Sequence, residues 1–166
     1  MAVRMPRRHL QLAFVLVGLS SSLVLAQKYE GPVPAKPDLP YLQHADNLVP
    51  TETAEAKQED RKDESTFSIS GQSSPVRTPL QEPIFLIQAE KLVPEKMELY
   101  RLEVKNGQRQ VVLGKKRKKD GAGPFHMSTT RLADRVYKIE VNEPLTDGEY
   151  CLTPAGSNQV FCFQVY

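Results

Sequence analysis

The sequence has no tryptophan, only two cysteines and only three histidines. That scarcity limits its chemistry. A zinc centre needs several convergent ligands, and neither Cys151 nor Cys162 has a second Cys or a His at ligand spacing. His9 lies near the N-terminus, His44 in a polar stretch, and His126 stands alone between Phe125 and Met127. No Gly-x-Ser-x-Gly elbow, His-Glu-x-x-His pair, Walker loop or dinucleotide fingerprint occurs. Gly114-Lys115-Lys116 has neither the upstream glycine nor the Ser/Thr of a phosphate loop. No metal, cofactor or catalytic residue is therefore expected. A strong apolar repeat at helical spacing is missing too.

The first 26 residues read as an address. Arg4, Arg7 and Arg8 form a basic start, Leu10 to Val17 is apolar, and Val24 and Ala26 fit the small-residue pattern of a signal peptidase site. A secretory signal over 1–26, cleaved after Ala26, puts the protein in the periplasm or outside the cell. The apolar run is broken by Ser20, Ser21 and Ser22, so no transmembrane segment is expected after cleavage. Of the chain's 22 basic and 20 acidic residues, the signal takes three Arg, leaving 19 against 20. That balance gives no reason to expect nucleic acid as a partner.

Residues 27–64 carry 5 basic and 9 acidic groups and Pro32, Pro34, Pro37, Pro40 and Pro50. Such proline density favours extended polyproline II. Thr51 to Glu64 has good helix formers and Thr51 as an N-cap, but no apolar stripe. The expectation is a disordered acidic linker ending in a marginal helix. Tyr41, Leu42, Leu48 and Val49 form an apolar patch within it. They read either as a docking peptide, for a partner or for the domain itself, or as scattered apolar residues.

From Ser65 onward apolar and polar residues alternate with period 2. Phe67 and Ile69, the run Pro83 to Gln88, and Tyr137, Ile139 and Val141 all read as strands. Asn106-Gly107 predicts a type I′ hairpin pairing Lys105 with Gln108, Leu102 with Val111 and Tyr100 with Leu113. Gly156-Ser157 predicts a type II′ turn pairing Ala155 with Asn158, Leu152 with Phe161 and Cys151 with Cys162. Tyr150, Leu152, Phe161, Phe163 and Val165 then share the core face, and Cys151 and Cys162 face away from it. The even cysteine count and an oxidising destination predict a Cys151–Cys162 disulfide.

Seven or eight short strands over 65–166 predict an all-β fold, a single antiparallel β-sandwich. Its general shape resembles immunoglobulin-like and fibronectin-like domains. The resemblance stops at architecture: Tyr150 is adjacent to Cys151, where the immunoglobulin corner places its Tyr two residues before the Cys. Lys115, Lys116, Arg117, Lys118 and Lys119 form a Gly-flanked basic run. It reads as a solvated loop, or as a site for an anionic lipid or glycan surface. The functional expectation is an exported, non-catalytic binding or assembly module of the cell envelope with an unknown envelope partner. The alternative is an enzyme, or an accessory domain of one, acting on envelope polymer.

Overall fold

The computed structural model describes residues 28–114 and 123–166. The expected signal over 1–26 lies outside the described residues, as does the basic run Lys115 to Lys119. In chain order the strands are β1 (Tyr41–His44), β2 (Asn47–Pro50), β3 (Glu52–Glu55), β4 (Lys57–Asp60), β5 (Glu64–Ser70), β6 (Arg77–Thr78) and β7 (Ile84–Gln88). After one 3-10 turn (Pro94–Lys96) come β8 (Met97–Lys105), β9 (Gln108–Gly114), β10 (Met127–Ala133), β11 (Val136–Val141), β12 (Gly148–Pro154) and β13 (Gln159–Val165). They form two sheets. One has the order β10-β11-β7-β1-β2; the other runs β3-β13-β12-β8-β9-β5-β4, with β6 beside β13. All pairings are antiparallel except β6 with β13.

The main core lies between the sheets. Period-2 alternation turns Tyr150, Leu152, Phe161, Phe163 and Val165 to one face, where they meet Leu42, Phe85, Ile87, Ile139 and Val141 from the other sheet. The Phe163 ring packs edge-on against Phe85 at 5.2 Å and stacks on Tyr150 at 5.8 Å. Each fully buried Leu, Ile or Phe here contributes about 1.5–3 kcal/mol relative to exposure. The Tyr150 hydroxyl donates to the Thr146 carbonyl at 2.7 Å, which ties the β11–β12 connection to the start of β12.

The larger sheet does not stay open. Its two edge strands, β3 and β4, are separated by Ala56 alone. Both edges therefore belong to one bent segment, 52–60, and the sheet curls into a half-barrel. The Ala56 amide donates to the Asn158 carbonyl at 2.8 Å and pins the bend to the β12–β13 turn.

This geometry corrects the expected linker over 27–64. Residues 41–60 are four strands of the domain, so the domain does not begin at Ser65. Thr51 is no helix cap: it is buried, and its hydroxyl donates to the Pro40 carbonyl at 2.7 Å. The marginal helix is replaced by β3 and β4 because Ala54 and Ala56 alternate inward, while Lys57 to Asp60 form an exposed, charged outer strand that suits a sheet edge. The prolines leave the chain extended, as polyproline would, but docked. Pro37 bridges to Gln88, and the Asp38 carboxylate accepts the amides of Glu90, Lys91 and Leu92. Burial would raise the Asp38 carboxyl, but those three amides and the nearby Lys91 hold it below its ordinary value. The apolar patch is the β1–β2 hairpin, with Leu42 in the main core, Tyr41 buried, and Leu48 and Val49 half-buried.

Two turns need finer correction. Asn106 and Gly107 take φ of 51° and 77°, as a type I′ turn requires, and Lys105 pairs with Gln108. The β8–β9 ladder ends, however, at Glu103 and Gln110. The pairs Leu102–Val111 and Tyr100–Leu113 do not form: from there Met97 to Leu102 of β8 continues its ladder with β12, while β9 follows β5. At the other hairpin Leu152 pairs with Phe161 and Cys151 with Cys162. There the turn is centred on Ala155-Gly156, one residue earlier than expected: the Ser157 amide donates to the Pro154 carbonyl at 3.0 Å. Ala155 and Asn158 do not pair because their backbone groups bond Lys96 and Ala56 instead. Arg135 sits in the β10–β11 turn with φ 58°, directly before the strand that carries Tyr137, Ile139 and Val141.

Candidate functional site

Curling gives the larger sheet an inner face. Alternation sends Glu149, Cys151 and Thr153 of β12 to the side opposite Tyr150 and Leu152. This side does face away from the main core, but it is not left open. It is the floor of a second core, in which Cys151, Cys162, Leu102, Ile69, Ala56 and Val160 are buried. The Cys151 and Cys162 sulfurs stand 2.01 Å apart, at disulfide distance.

One end of this interior is closed by a charge. Arg109 of β9 is in phase with Val111 and Leu113, so its side chain enters the half-barrel, where it is 1% exposed. Its Nη1 and Nη2 donate to the two carboxylate oxygens of Glu52 at 2.7 and 2.8 Å. Its Nε and Nη2 reach the Gly71 and Ser70 carbonyls at 3.2 and 3.1 Å. Glu149 stands 3.7 Å from the same Nη1 and accepts from the Ser73 hydroxyl and the Ser74 amide at 2.8 and 2.9 Å. Burial pushes the Glu52 carboxyl up, but the bonds from Arg109 and Ser74 and the Arg109 charge outweigh it, leaving Glu52 below its ordinary value. The hydrogen bonds to Glu52, against the cost of burial, hold the guanidinium above its own ordinary value. Both carboxylates therefore approach the same guanidinium nitrogen, Arg109 Nη1. That is a structural clamp, since acid–base work by a carboxylate pair needs an open position between them for a substrate or water.

The other end is a half-open cavity of about 280 Å³. Its walls are Phe67, Ile69, Leu102, Val111, Val160 and Cys151, and Tyr100, Glu98, Gln58, Ser157 and Asn158 stand around it. The cavity exists because β8 and β9 part beyond Glu103 and Gln110. Tyr100 and Leu102 on β8 and Val111 and Leu113 on β9 still share the inward face, but they line a space instead of pairing. The Tyr100 hydroxyl donates to Glu98 Oε2 at 3.0 Å. Burial, that hydrogen bond and the neighbouring carboxylate push the phenol up to about 12, so it is a neutral donor at any physiological pH.

The sequence-expected sites divide accordingly. Cys151 and Cys162 come together, and Cys151 lines the cavity. Tyr41, Leu42, Leu48 and Val49 come together as a hairpin of the other sheet, away from the cavity. Lys115, Lys116, Arg117, Lys118 and Lys119 lie outside the described residues. His44 bonds the Thr78 hydroxyl at 3.0 Å, and His126 is exposed. Among the described residues no group of three or more His, Cys, Asp or Glu is placed to hold a metal, and no helix is long and apolar enough to cross a membrane. Sequence reasoning missed Arg109, Glu52 and Glu149. The signal was there: Arg109 occupies an apolar-phase position of its strand. No protein-family model matches the chain, and neither the curated proteins nor the solved structures contain a match.

Proposed function

We propose that the chain is an exported, non-catalytic binding or assembly module of the cell envelope, and that the half-barrel cavity is its binding site. The observation that carries this reading is the cavity itself: about 280 Å³, walled by apolar side chains, with a few polar groups at its rim. The two-sheet architecture supports describing the domain as a β-sandwich of immunoglobulin-like or fibronectin-like general shape with one sheet rolled. Export rests on the sequence of residues 1–26, and the periplasm or the extracellular space is the destination that sequence implies. The run Lys115 to Lys119 would draw the module to an anionic lipid or glycan surface.

The titratable groups around the cavity argue for recognition over reaction. Tyr100 is held protonated and its proton is given to Glu98. An enzyme acting on envelope polymer would need its facing carboxylates free, and Glu52 and Glu149 are both turned to Arg109. The test is affinity capture of the mature protein from its own envelope, beside a Val111→Trp variant whose larger side chain fills the cavity. The reading predicts a bound envelope component that the variant loses, and no turnover of that component. Chemical conversion of it by the wild-type protein alone would favour the enzyme.

A further inference from the structure

We infer that the cavity accepts a small molecule with an apolar body and a hydrogen-bond-donating head, an amine or an alcohol, and discriminates against a carboxylate head. The inference rests on the cavity being the binding site, and it names the class of ligand.

The body follows from the walls and the volume. Phe67, Ile69, Leu102, Val111 and Val160 offer no hydrogen bonds, and the space of about 280 Å³ is close to twice the roughly 150 Å³ apolar cavity that holds a benzene. An aliphatic chain of about eight carbons or a substituted aromatic ring is the matching size.

The head follows from the hydrogen-bond inventory of the rim. Tyr100 has one proton and spends it on Glu98 Oε2. The Glu98 carboxylate, half-buried beside it, accepts only. The Gln58 amide nitrogen is directed at the Asp60 carboxylate at 3.1 and 3.2 Å, leaving its carbonyl oxygen as an acceptor. The Thr153 hydroxyl faces the carbonyls of Ser157 and Gln159 at 3.1 and 2.9 Å, so its proton is taken as well. The Ser157 hydroxyl accepts the Gln159 amide at 3.1 Å and keeps its own proton, so the rim presents mostly oxygens in want of a proton, one neutral hydroxyl donor and one negative charge. The Asn158 amide serves a donor or an acceptor equally. A ligand carboxylate entering here would find Ser157 and Asn158 as donors but would be repelled by Glu98, whereas an ammonium would be paired with Glu98 and a hydroxyl would meet neither penalty.

The experiment is calorimetric titration of the full mature protein with octylammonium, 1-octanol and octanoate at about pH 7, where octanoate is ionised. All three share one apolar body. Octylammonium should bind about tenfold more tightly than octanoate, with octanol between them. Glu98→Gln should narrow that spread to about threefold, with octanol changing the least of the three. Val111→Trp should weaken all three, with circular dichroism as the check that it folds; if it does not, the order of the three probes and the Glu98→Gln arm decide alone. Equal affinities, or a preference for octanoate, would overturn the inference about the head and leave the cavity as a binding site. No saturable binding of any probe would overturn both.

Discussion

Arg109 and Glu52 meet through two parallel hydrogen bonds although their strands, β9 and β3, are not neighbours in the sheet. The contact spans the interior of the half-barrel and, with Glu149, closes one of its ends. Removing one member of a buried ionic cluster strands the rest without solvent. Arg109→Ala should therefore destabilise the domain by about 3–5 kcal/mol in urea unfolding, largely because the buried Glu149 loses its countercharge. Replacing the cluster together, as Arg109→Met with Glu52→Gln and Glu149→Gln, should recover much of that loss. A triple variant no more stable than Arg109→Ala would show that the cluster acts through something other than charge.

The same contact sets a pH dependence. The Glu52 carboxyl lies below its ordinary value of 4.5 in the folded state. Its contribution is therefore fully present above that value and is lost as pH falls through the lower, folded one. Arg109, held above its ordinary value, stays charged throughout the acid range. Urea midpoints measured from neutral pH down through the carboxylate range should fall more steeply for the wild type than for Glu52→Gln. Parallel curves would mean that the pair is not formed.

A chain beginning at Ser65 should not fold. It lacks β1 to β4, which supply Leu42 to the main core, Ala56 to the second core and Glu52 to Arg109. Far-ultraviolet circular dichroism and one-dimensional NMR would show an unstructured chain. A cooperative, dispersed spectrum would instead restore residues 27–64 to the role of a linker.

That segment also shows what was legible in the sequence. Strands with clean alternation, such as Tyr150 to Leu152 or Phe161 to Val165, announce both their type and their inward face. Asn106-Gly107 announces its turn because both positions need positive φ. Segment 52–60 does not, because its inward residues, Glu52, Ala54, Ala56 and Gln58, are small or polar and its outward ones are mostly charged. Its strand character comes from the backbone of β13 and β5, which single-chain periodicity cannot see. The cavity was illegible for a related reason. Hairpin geometry alone implies that β8 and β9 pair to their ends, whereas beyond Glu103 and Gln110 β8 stays with β12 and β9 with β5. Arg109 was legible in principle, as a charge in the apolar phase of β9.

The basic run Lys115 to Lys119 carries a prediction that is independent of the cavity. Near an anionic bilayer each cation contributes about 1 kcal/mol, and this decays within a Debye length. The mature protein should co-sediment with phosphatidylglycerol vesicles at low salt and be released at high salt. Replacing Lys115, Lys116, Lys118 and Lys119 with Gln should abolish the association. Equal sedimentation of both proteins would mark the run as a solvated loop.

The central claim is that segment 52–60 closes the larger sheet around a cavity, and hydrogen exchange at that segment tests it most directly. Its amides share ladders with β13 on one side of Ala56 and β5 on the other. The account predicts that peptides covering 52–60 are protected from deuterium for far longer than an unstructured chain, and that Arg109→Ala selectively speeds their exchange. Complete exchange of 52–60 in the wild type at the rate of an unstructured peptide would contradict it.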